Sequence, residues 1–174
     1  MDRFKANTKF DEYIDGIRKK EIKTEDELRT IQEIKITTGD SQWKFFNMEL
    51  IKKNFKLLED FIRESEDEFN APDVEMPEFL ALYEFCKQHA FDEKKYDGMY
   101  FKIPKPLEKD VFECDGVSFW DIRWLRSLHT HQYDSVNMFT VLNAANYLNC
   151  ESAIQLLCAA ISRMFSKCQK RETM

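Results

Sequence analysis

Between Ser135 and Lys167 the chain carries two amphipathic helical patterns, Ser135–Leu148 and Glu151–Lys167, joined only by Asn149 and Cys150. Together they hold more apolar surface than one core needs, which constrains the fold more than any other feature. At about 100° per residue, Met138, Val141, Leu142, Ala145 and Leu148 form one stripe, with Phe139 and Tyr147 off it beside Asn143 and Asn146. In the second pattern Ala153, Ile154, Leu156, Leu157, Cys158, Ala160, Ile161, Met164 and Phe165 sweep roughly 200°, where a surface helix needs only about 100°. Such a helix is either buried on most sides by its own domain or offers a face to another protein.

Upstream, the pattern is of strands and shorter helices. Ile34–Thr37, a turn at Thr38–Ser41 and Trp43–Asn47 read as a β-hairpin. Helices are predicted over Met48–Lys53 and Phe55–Glu64, then an acidic loop over Glu64–Asn70 and a short strand over Asp73–Met76. Pro77 suits the first turn of a further helix, whose stripe is Phe79, Leu82, Tyr83, Cys86 and Ala90. The linker after it holds Gly98, Pro104, Pro106 and Gly116 but also Tyr96, Tyr100, Phe101 and Ile103, so part of it packs. Ser118–Asp121 reads as a capping box for a helix bearing Trp120, Trp124, Leu125 and Leu128.

Before the hairpin, Phe10, Tyr13, Ile14 and Ile17 have helical spacing, and Thr24–Glu27 reads as a capping box. This stretch is read as a loosely attached, largely solvated arm. The chain thus divides into a charged extension (1–33), a first core segment (34–91), a linker (92–116), C-terminal helices (117–168) and a tail (169–174).

The run Ala144-Ala145-Asn146-Tyr147-Leu148-Asn149, followed directly by the Cys150–Phe165 helix, resembles the S-phase kinase-associated adaptors. Elongin C, a relative of that family, carries a similar run. Trp120-Asp121 with Trp124-Leu125 is similar to the family's Trp-Asp…aromatic-Leu segment, and the order hairpin, helix pair, strand, helix matches its core. The similarity spans Ile34–Phe165. It implies an α+β chain of the BTB/POZ fold, a small three-stranded sheet with surrounding helices, followed by C-terminal helices.

The resemblance also implies a function: a non-catalytic adaptor linking a cullin N-terminal domain to an F-box or related substrate receptor. It would be cytoplasmic and nuclear. On this resemblance Asn146 and Tyr147 are the cullin-facing pair, and Ile154, Leu157, Ile161 and Phe165 are the F-box-facing residues. Two departures stand out. The chain ends with Ser166–Met174, short of the Pro-containing helix that completes the family's F-box clamp, and Asn143 stands where the family tends to have a large apolar residue. The alternative reading is a BTB-type scaffold that self-associates and has lost ligase function.

Composition narrows the remaining classes. A net charge of −6 speaks against general nucleic-acid binding. The longest apolar run, Leu156–Ile161, is too short to span a membrane, and the first residues lack a signal-peptide core. Five scattered cysteines suit a reducing compartment, with Cys86 and Cys158 acting as small hydrophobes in helical stripes. Cys86, His89, His129 and His131 are zinc-ligand types, but their spacing matches no standard pair, so no metal is expected. No glycine-rich phosphate loop, nucleophile elbow or kinase signature is present, so neither catalytic residues nor a cofactor are assigned.

Overall fold

In Glu33–Thr38 alternate residues are apolar or β-branched, and in strand β1 (Glu33–Thr38) Ile34, Ile36 and Thr38 all point into the core. A computed structural model describes residues 32–62, 68–129 and 136–172. The chain divides into two units, Met1–Glu33 and Ile34–Met174, and the fold below is that of the second. The expected helix and capping box before Glu33 lie outside the described residues, as does His131.

β2 (Trp43–Asn47) completes the hairpin at the sheet edge, in the order β2-β1-β3. Gly39 is required at the turn: its N–H donates to Val74 O at 2.8 Å, and a Cβ there would run into the carbonyl oxygen of Pro72.

The third strand is not where the sequence pattern put it. β3 is Glu68–Ala71, parallel to β1 with Ile36 opposite Phe69 and Thr38 opposite Ala71, rather than Asp73–Met76. Phe69 and Ala71 alternate inward, which an acidic loop over Glu64–Asn70 does not predict. Pro72 has no N–H for the ladder and ends it, while Val74 enters the core from the following turn. Asp73–Met76 therefore forms that turn and the start of the next helix.

Between hairpin and β3 lie α1 (Met48–Asn54), capped by the Asn47 side chain, and α2 (Lys56–Ile62). α3 (Met76–Gln88) opens with a Glu75–Glu78 capping box and Pro77 in its first turn. Asp40 of the hairpin turn also accepts from Met76 N, at 3.3 Å, so the sheet fixes where α3 begins. The α3 stripe buries Phe79, Leu82, Phe85 and Cys86; the expected stripe member Ala90 lies past the helix end.

The linker packs through Tyr100 and Phe101, passes a 3-10 turn (Val111–Glu113) and enters α4 (Phe119–His129). Trp124 Nε1 of α4 donates to Ala81 O at 3.2 Å, tying α4 to α3. α5 (Met138–Leu148) begins three residues after Ser135, because Asn137 caps it with bonds from Phe139 N and Thr140 N. α6 (Glu151–Glu172) follows and packs against α5. The result is an α+β chain with a small three-stranded mixed sheet and, among the described residues, six α-helices. No helix among them is long and apolar enough to cross a membrane.

Phe85 is the hub of the linker-side core, with ring centres 4.6 Å from His89, 5.1 Å from Trp124 and 6.4 Å from both Tyr100 and Phe101. The buried Tyr100 hydroxyl donates to Asn54 Oδ1 at 2.8 Å. Burial first, then nearby Cys86, pushes its phenol well above the ordinary 10.0. An unfolded tyrosine deprotonates first as pH rises, so its contribution is complete below about pH 10 and is lost above it. Urea midpoints should fall between about pH 9 and about pH 11, and less steeply in Tyr100→Phe; an unchanged slope in the variant would refute the assignment.

Candidate functional site

The joint between α5 and α6 owes its shape to local chemistry. Asn149 adopts the left-handed conformation, φ 54°, that asparagine tolerates better than most residues, and its N–H returns to the last turn of α5. Cys150 N closes the same turn on Ala145 O at 2.8 Å, so α6 starts immediately and lies back against α5.

On α5 the inward stripe is Met138, Val141, Ala144, Ala145 and Leu148. On the opposite side Phe139, Asn143 and Asn146 are exposed, at spacings of four and three residues that align them along the helix. Tyr147 sits half-buried beside this stripe, its phenol raised above the ordinary 10.0 chiefly by burial and then by Asp73. Asn146 and Tyr147 therefore lie together, one open and one partly open. The sequence pattern had set Phe139 off the core stripe without assigning it a role; the structure leaves its ring 50% exposed in line with Asn143 and Asn146.

The four α6 candidates are not equivalent. Leu157 is fully buried and Ile161 is only 9% exposed, so both close this chain's own core. Ile154 is partly buried, and Phe165 is 59% exposed. The surplus apolar arc thus resolves into core over most of its width, with an open end at Phe165. Cys158, placed by the pattern among the apolar residues, is exposed, whereas Cys86 is buried. Arg163 Nε donates to Asp110 Oδ2 at 3.0 Å and ties the outer part of α6 to the linker.

Two of the residues weighed as metal ligands, His89 and Cys86, have other partners. His89 Nε2 lies 2.8 Å from Asp121 Oδ1, and Nδ1 lies 2.7 Å from Asp92 Oδ2. Asp121, fully buried, turns its other oxygen to the N–H and hydroxyl of Ser118, each at 2.8 Å, in the anticipated cap of α4. Cys86 donates to Cys150 across the core, and burial holds its thiol well above the ordinary 9.0. Among the described residues no three His, Cys, Asp or Glu side chains gather as a metal site.

Fold and surface together define an α+β protein whose most distinctive face is helical, aromatic and amide-rich. Among known proteins, the chain is similar to the S-phase kinase-associated protein 1 homolog of Tetrahymena thermophila, 26% identical over 122 residues. The similarity covers 67% of this chain and 64% of that relative's length. No protein-family model matches the chain.

Proposed function

We propose that this chain is a non-catalytic adaptor on a BTB/POZ fold, linking a cullin scaffold to an F-box-type substrate receptor in a cullin-RING ubiquitin ligase. The carrying observation is the Ala144–Asn149 run: its alanines and Leu148 are buried, while Asn146 is open and Tyr147 half-open on the outer side of α5. The similarity to the Tetrahymena protein supports the same reading. Asn146 and Tyr147 face the cullin, with Phe139 extending that contact, and Phe165 and Ile154 face the receptor. An adaptor of this kind works in cytoplasm and nucleus by geometry. Holding the receptor at a fixed place on the cullin makes ubiquitin transfer effectively intramolecular.

The test is capture of a purified cullin N-terminal domain by the full chain, alone and with an F-box peptide. Asn146→Lys with Tyr147→Lys is expected to weaken capture by at least about a hundredfold, because it places two long cations in the contact. Circular dichroism checks that the double variant stays folded. Absence of capture by the folded wild-type chain, with or without the peptide, would overturn the proposal. It would leave a self-associating scaffold, which solution mass would reveal.

A further inference from the structure

We propose that the outer face of α4 docks an acidic segment of a partner protein, held by Arg123 and Arg126 with an apolar side chain against Phe119. These three residues follow one another at spacings of four and three, so they line up along one side of the helix. All are exposed, and Phe119, at 71%, is the most open large apolar side chain among the described residues. The Arg126 guanidinium lies over the ring of Phe112, 5.6 Å from its centre, so the stripe runs on to a second exposed aromatic on the 3-10 turn.

The fold of α4 does not require these side chains. Ser118 and Asp121 cap its start, each side chain accepting from the other's N–H. The apolar pair that staples such a start falls at Val117 and Ile122, both half-buried. On the inner face Asp121, Trp124, Leu125 and Leu128 are buried, and Trp120 stacks on Trp124. Phe119 therefore stands on the solvent side of a firmly held helix, in place before any partner arrives.

Charge decides the partner. The chain has a net charge of −6, yet here it sets two guanidinium groups a turn apart with no ion pair to either among the described residues. Asp121 turns inward to His89 and Ser118, and Asp110 is held by Arg163. Glu113 is exposed beside Phe112 and pairs with neither arginine. Arginine forks match carboxylates with two bonds each, and the ring between them favours an apolar side chain in the same segment. A second copy fits poorly, since a two-fold contact through this face sets four arginines against one another. The face is on α4, apart from the α5 and α6 surfaces read as cullin and receptor contacts, so its test stands whether or not those hold.

The experiment selects displayed dodecapeptides of random sequence on the full chain and titrates the enriched peptides by fluorescence polarisation. Enrichment of Asp and Glu around a leucine or an aromatic is expected. Arg123→Glu with Arg126→Glu should raise their Kd by at least about tenfold, and Phe119→Ser by at least about threefold. Arg123→Gln with Arg126→Gln should give a smaller loss, and added salt should weaken the wild-type chain more than either double variant. Because the three positions are exposed, melting midpoints should move by no more than about 2 °C. Enriched peptides without acidic residues, or equal affinity for the folded arginine variants, would overturn the proposal. So would tighter binding of a single-stranded oligodeoxythymidylate to this face, or a self-association that Phe119→Ser abolishes.

Discussion

His89→Leu lowers the unfolding free energy by about 3–5 kcal/mol, because it strips a fully buried carboxylate of one of its partners. Asp121 Oδ1 accepts only from His89 Nε2 among the described residues, while Oδ2 is held by Ser118. Leucine fills a similar volume but gives Oδ1 nothing, and water has no path to a residue 0% exposed. The stack of His89 on Tyr100, centres 4.4 Å apart, is lost as well. Asp92 is on the exposed side, so Asp92→Ala costs much less, under about 1 kcal/mol. Urea denaturation of the two variants checks the contrast. A double-mutant cycle sharpens it: adding Asp121→Ala to His89→Leu should cost less than the two single changes summed, since the stranded charge is then gone. Equal losses for His89→Leu and Asp92→Ala would refute this account.

Leu157→Ala and Phe165→Ala separate the two parts of the α6 apolar arc. Leu157 is fully buried, so its truncation is expected to cost about 2–5 kcal/mol and to lower the thermal midpoint by about 5–15 °C. Phe165, 59% exposed, should change stability by no more than about 0.5 kcal/mol. Under the adaptor reading the order reverses for binding: Phe165→Ala weakens capture of an F-box peptide, and folded Leu157→Ala does so only through its lost stability. Calorimetric melting together with peptide titration measures both effects. A large stability loss in Phe165→Ala would place that ring in the core and remove it from the proposed receptor face.

These contrasts follow the line between local and non-local information. The hairpin was legible because strand alternation and the Gly39 turn are local, and α3 because Pro77 and its 3.6-residue stripe are local. The α5–α6 pair was equally legible, its joint fixed by an asparagine suited to the left-handed conformation. Even the Ser118–Asp121 cap could be read, since its partners lie three residues apart.

What failed or stayed hidden depends on residues far apart in the chain. β3 is a strand because Phe69 and Ala71 meet β1 across more than thirty positions, and an acidic stretch gives no local sign of that pairing. The same holds for His89, whose partner Asp121 lies 32 residues away. By itself the sequence determined that α6 has more apolar surface than a free helix can expose. Only the tertiary structure decided that Leu157 and Ile161 turn into the core while Phe165 stays open, because burial depends on which neighbouring helix covers each side.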